Sequence, residues 1–223
     1  MNVQGFQLYS GFVLTVALVD YRKRFINVEV GWPGSVGDGR VFRNSRLSSI
    51  YKEWLSAFPT KRLPTGETWN GRLIQEEVPA FILTDSAYAN SKHLVTTFKL
   101  CEIREDGVAE ALKKKMGGAQ YHVENAFGIM KGRFQIFQRA LQCASENIEF
   151  VIMLISSLFV LHNFLIDVAD DSGDWWNIAE VENDDGDTED AILDDPHYIK
   201  STKTRDILIR HMRWTRRVDN DYN

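Results

Sequence analysis

Residues 25–42 read FINVEVGWPGSVGDGRVF. FINVEV alternates with a period of two, the pattern of a strand. Gly31, Pro33, Gly34, Ser35, Gly37 and Gly39 then turn the chain sharply. Asp38 is the one acidic side chain on that turn. Ordinary turn or helix-cap chemistry accounts for it. A carboxylate held for catalysis accounts for it too, if partners converge on it from elsewhere in the chain.

On the N-terminal side, FQLYSGFVLTVALVD (6–20) is rich in β-branched and aromatic residues and reads as strand. The YRKR turn at 21–24 then joins it to FINVEV as a hairpin. On the C-terminal side, RVFRNSRLSSIYKEWLSAF carries Leu47, Ile50, Tyr51, Trp54 and Phe58 at helical spacing. Residues 63–71, LPTGETWNG, read as a loop. VPAFILTDSAY gives a short, wholly apolar strand stopping at Thr84 and Asp85, the kind buried on both faces of an α/β sheet. Residues 101–118 read as a polar, flexible connection. From Ala119 to Phe137 a helix is expected, with Val123, Phe127, Met130 and Phe134 on one stripe and Glu124, Gly128 and Lys131 on the next. Residues 148–166, IEFVIMLISSLFVLHNFLI, read as a buried core helix. Its length and its Ser156, Ser157, His162 and Asn163 weigh against a membrane span. His162 and Asn163 are expected as satisfied polar core groups, and Trp32, Phe127 and Phe134 as core.

The 223 residues contain 44% hydrophobic side chains, among them 13 Phe, 7 Tyr and 6 Trp. That composition suits a globular fold and excludes a disordered one. Two cysteines, Cys101 and Cys143, are too few for a disulfide framework and lack metal-ligand spacing, which points to a reducing compartment. No basic leader with an apolar core opens the sequence, so secretion is not expected. The net charge of −5 is strongly segregated. Residues 1–166 carry +4, residues 167–199 carry −13 with no basic side chain, and residues 200–223 carry +4. A mildly basic body suits a polyanionic partner. The acidic stretch, with Trp175 and Trp176, reads as an exposed linker or tail, and the basic end as an amphipathic helix.

Three carboxylates share one situation. Asp38 follows a strand, Asp85 ends a buried strand, and Glu124 lies on a helix beside an apolar stripe. Strand ends and the helices packed on them converge on one crevice in open α/β sheets. Carboxylates gathered there repel one another, and a hard divalent cation such as Mg²⁺ or Mn²⁺ removes the penalty. Asp85 as a helix N-cap and Glu124 as a solvated helix residue are the plain alternatives.

The segments FINVEVGWPGSVGDGRVFRNSRLS, FILTDSAY, YHVENAFGIMKGRF and LHNF, in that order, resemble the Harbinger-type transposase-derived nucleases of the DDE superfamily. The resemblance covers most of residues 6–166. It implies a ribonuclease-H-like α/β fold, a mixed sheet flanked by helices, with catalytic Asp85 and Glu124, 39 positions apart, and a divalent metal (Mg²⁺ or Mn²⁺) bound by Asp38, Asp85 and Glu124. It also implies DNA as substrate, a separate DNA-binding partner protein, a homo-oligomer, no membrane and a nuclear location, or a cytoplasmic one without that partner. Lys131 and Arg133 would contact nucleic-acid phosphates, with solvated helix residues as the alternative. The family's first catalytic Asp sits in an IDGT-like motif on a strand preceding residues 6–19, and no such motif occurs here. The expectation is an N-terminally truncated domain with an incomplete carboxylate set. The other reading is a catalytically silent domesticated domain that binds DNA or protein.

Overall fold

The computed structural model describes residues 2–9, 13–85, 88–98, 107–138, 147–168 and 203–221. They form a mixed α/β structure of two compact units. Residues 2–45 and 119–168 belong to the first, and residues 46–118 and 203–221 to the second.

In the first unit, β1 (Asn2–Tyr9), β2 (Val13–Val19) and β3 (Phe25–Trp32) form an antiparallel meander with β2 in the middle. The stretch read as one strand is thus two. Val16, Ala17, Leu18 and Val19 are all buried, so β2 is covered on both faces and shows no polar alternation. The expected hairpin of β2 and β3 is present, with Ala17 opposite Val28. Asp20 closes its turn: one carboxylate oxygen accepts the N–H groups of Arg22 (2.8 Å) and Arg24 (3.0 Å).

Helix α1 (Asp38–Asn44) follows the glycine turn and helix α2 (Arg46–Ser56) opens the second unit. The single helix expected there breaks at Ser45, whose hydroxyl and N–H both bond the Phe42 carbonyl. On α2 the buried stripe is Leu47, Tyr51 and Leu55; Ile50 and, beyond the helix end, Phe58 are exposed.

Helix α3 spans Gly107–Arg133, and a short 3₁₀ turn, Gln135–Gln138, follows it. Residues 107–118 are therefore helical rather than a flexible connection. Lys, Met, Ala, Glu and Leu in GVAEALKKKMGG are good helix formers, and they outweigh the paired glycines. Helix α4 (Ile148–Asp167) lies against β3. Val123, Phe127 and Met130 of α3 and Val151, Ile155 and Phe159 of α4 close over Ala17, Val19 and Phe25. Phe25 is the hub, edge-on to Phe127 (5.1 Å), Phe159 (4.6 Å) and the His162 ring (5.0 Å). Phe127 is fully buried as expected, while Phe134 and Trp32 are partly so. Gly31 has φ +101°, and a Cβ there would stand 2.7 Å from Ile152 Cδ1. Glycine thus lets the end of β3 approach α4 closely.

In the second unit, β4 (Lys61–Trp69) and β5 (Arg72–Val78) form a hairpin where a loop was expected. Asn70 and Gly71, both at positive φ (50° and 74°), make its two-residue turn. Asn-Gly is the strongest short-range hairpin signal, and it was present in the sequence. Strands β6 (Ile82–Thr84) and β7 (Leu94–Thr96) pair in parallel and are wholly buried, as the apolar run predicted for β6. Helix α5 (Lys203–Asp221) packs on β4. Its fully buried Arg205 lies over the Phe98 ring (4.0 Å) and donates a long hydrogen bond to the Thr97 carbonyl (3.4 Å).

Helix α4 departs most from expectation. Its mean hydropathy of 2.0 is high enough for a membrane span, yet only 22% of that stretch is buried. One face is core. The other exposes Phe150, Met153, Val160 and Phe164. The acidic stretch with Trp175 and Trp176, and both cysteines, fall outside the described residues.

Candidate nuclease site

Asp38 is the first residue of α1, directly after the N-cap Gly37. The glycines end β3 and start a helix there, and the half-buried carboxylate sits in the first turn, where free backbone N–H groups give a positive potential. Asp85 comes one residue after β6, at the edge of a fully buried strand, and is half-buried. Its carbonyl accepts the Tyr88 N–H at 3.4 Å. Glu124 is exposed on α3, between the buried Val123 and Asn125.

The helical phase expected around Glu124 is present. Gly128 and Lys131 follow it at i+4 and i+7, so all three share one face, and Lys131 stands about 10 Å along the axis from Glu124. Lys131 and Arg133 occupy the last turn of α3, where the helix C-terminus favours cations. Burial lowers the Lys131 pKa from its ordinary value. Asp38 and Glu124 belong to the first unit and Asp85 to the second. Among the described residues no three His, Cys, Asp or Glu side chains are grouped to hold a metal ion. Asp38, Asp85 and Glu124 are each carboxylates, the oxygen-donor type that a hard divalent cation prefers.

His162 and Asn163 lie on α4 and face β3, serving the fold as expected. Asn163 clasps the backbone of Phe25, accepting its N–H at 2.8 Å and donating to its carbonyl at 2.7 Å. His162 Nε2 donates to the Lys23 carbonyl at 3.0 Å, which fixes the proton on Nε2. The ring is fully buried. Desolvation lowers its pKa to about 4, the Lys23 carbonyl opposes that shift, and the Arg133 charge adds to it. The YRKR segment was expected only to turn the chain. The structure shows more, since Arg24 pairs with Asp167 at 2.7 Å and ties this basic turn to the C-terminal end of α4.

A family model described as DDE superfamily endonuclease matches residues 7–163. The chain belongs to that family. The resemblance read from the PGSVGD, LTDSAY and VENAFG segments is borne out by a match that contains all three. A curated relative, Protein ALP1-like from Arabidopsis thaliana, is 26% identical over 171 residues, covering 74% of this chain and 38% of the relative. The chain thus spans about two fifths of that relative's length. No solved structure matches the chain significantly.

Proposed function

We propose that this DDE-family domain cleaves DNA phosphodiester bonds, with water or a 3′-hydroxyl as nucleophile. The family match over residues 7–163 carries the reading, because it contains the three segments that bear Asp38, Asp85 and Glu124. Asp85 and Glu124, with Asp38, are the residues that would hold Mg²⁺ or Mn²⁺. An ion held by these residues would supply activation of the attacking oxygen and stabilisation of charge on the leaving oxygen. Lys131, on the Glu124 face of α3, and Arg133 two residues beyond offer cations to the flanking phosphates. The proposed substrate is nuclear DNA, reached with a separate DNA-binding protein.

Plasmid nicking in Mn²⁺ by the purified chain tests this. Wild type is expected to convert supercoiled to open-circular DNA, and Asp85→Asn and Glu124→Gln to lose at least about a hundredfold in rate. Lys131→Ala with Arg133→Ala should weaken DNA binding and flatten its salt dependence. Equal nicking by wild type and both carboxylate variants would reject the assignment.

A further inference from the structure

The β4–β5 hairpin leaves at its tip a ring that the fold does not use. Trp69 is 72% exposed, whereas tryptophan is on average well buried. Its cross-strand partner is Arg72, across the Asn70-Gly71 turn, and directly opposed residues project from one face of a hairpin. Residues alternate along β5, so Arg72, Ile74 and Glu76 share that face. Glu76 pairs with Arg210 of α5, which identifies the face as the one turned to α5. Trp69 and Arg72 therefore project on the α5 side of the hairpin, and both stay exposed.

Helix α5 runs along β4 towards this tip. His211 bonds the Pro64 carbonyl, and Trp214 packs on Gly66, where a Cβ would stand 2.9 Å from Trp214 Cδ1. Arg213 and Arg217, four residues apart, share the exposed face of α5 and continue it in the same direction. The hairpin and α5 together carry nine basic and six acidic side chains. Arg210 engages two of the acids, Glu67 and Glu76, and Arg62 engages Glu77. Asp206 lies two turns before Arg213, while Asp219 and Asp221 follow Arg217 in the last turn. Arg216 turns away to the Gly107 carbonyl (2.8 Å), at the start of the helix that bears Glu110. Cations therefore exceed acids around the exposed ring.

We propose that the hairpin tip and the exposed face of α5 bind single-stranded DNA. Trp69 stacks on an unpaired base, and Arg72, Arg213 and Arg217 hold the flanking phosphates. An exposed indole beside cations is the stacking platform of single-strand binding proteins, and it needs a base whose faces are open. A duplex keeps those faces covered by neighbouring base pairs. An acidic peptide would answer the cations but bring no flat ring to cover Trp69. The surface rests on the DNA reading above for the class of its ligand, but it uses none of the residues assigned to cleavage. Helix α5 lies outside the matched residues 7–163, so family membership assigns it no role.

Fluorescence anisotropy of a labelled oligothymidylate of about 15 nucleotides, with the full chain in EDTA, tests the surface. Without metal the readout is binding alone, so a chain that never nicks plasmid still confirms or refutes it. Wild type is expected to bind the single strand at least about tenfold tighter than a duplex of equal length. Trp69→Ala should weaken that binding at least about fivefold, and Trp69→Phe should keep most of it. Neither should alter far-ultraviolet circular dichroism, since the ring faces solvent. Arg72→Gln with Arg217→Gln should lower the slope of log affinity against log salt by about 1.4. Unchanged affinity in Trp69→Ala, a duplex bound as tightly as the single strand, or oligoglutamate competing as well as unlabelled oligothymidylate would overturn the proposal.

Discussion

The first unit and the second are held together in different ways. Around Phe25 the first unit is an aromatic and aliphatic cluster in which α3 and α4 close over β2 and β3, and its polar groups, Asn163 and His162, clasp backbone. The second unit buries Ile207 and Met212 of α5 and adds a set of polar links. Thr204 donates to the Lys92 carbonyl (2.9 Å), His211 bonds the Pro64 carbonyl (2.8 Å), and Arg210 pairs with Glu76 (2.5 Å) and Glu67 (3.3 Å). Apolar burial is non-directional and tolerates small shifts. A set of hydrogen bonds and ion pairs fixes register but adds little net energy per contact. The difference teaches that removing the aromatic hub of the first unit should cost more than removing any one of these polar links.

Phe25→Ala is the severest test and is expected to remove about 3–5 kcal/mol, because it leaves a cavity among Phe127, Phe159 and His162. Urea denaturation followed by tryptophan fluorescence measures it. A loss below about 1 kcal/mol would break the comparison.

The next effect is one of pH. His162 is neutral when buried, with a pKa of about 4, whereas the unfolded chain takes up the proton near 6.5. The group's contribution is therefore complete above pH 6.5, shrinks as pH falls towards 4, and is constant below that. The loss is roughly 3 kcal/mol. Melting temperature against pH should show this decline, and His162→Gln should flatten it.

In the second unit, Arg205→Met keeps the stem but loses the charge over Phe98 and the bond to Thr97, and should cost about 2 kcal/mol. Arg210→Ala should cost less than about 1 kcal/mol, since its partner carboxylates are partly solvated. If Arg210→Ala proved costlier than Phe25→Ala, the contrast between the units would be reversed.

Much of this was legible in the chain, for identifiable reasons. The β2–β3 hairpin, the buried β6 and the Val123–Phe127–Met130 stripe follow from periodicities that the structure retains. The β4–β5 hairpin was missed because LPTGETWNG is rich in turn residues, although Asn70-Gly71 named the turn type outright. The N-terminal half of α3 was missed because Gly117 and Gly118 drew attention from the helix formers before them. The uncovered face of α4 was not legible, since hydropathy alone does not separate a helix buried all round from one with two opposed stripes. Each carboxylate's local setting was legible in part: Asp38 on the glycine turn beyond a strand, Asp85 at a strand end, Glu124 on a helix face. Whether they act together depends on tertiary placement, which no local pattern encodes.

Isothermal titration of Mn²⁺ into the purified chain, with Glu124→Ala alongside, bears most directly on the central claim. Shared coordination by Asp38, Asp85 and Glu124 predicts saturable binding that weakens at least tenfold in the variant. Equal affinity in the two proteins, or no saturable binding in either, would contradict it.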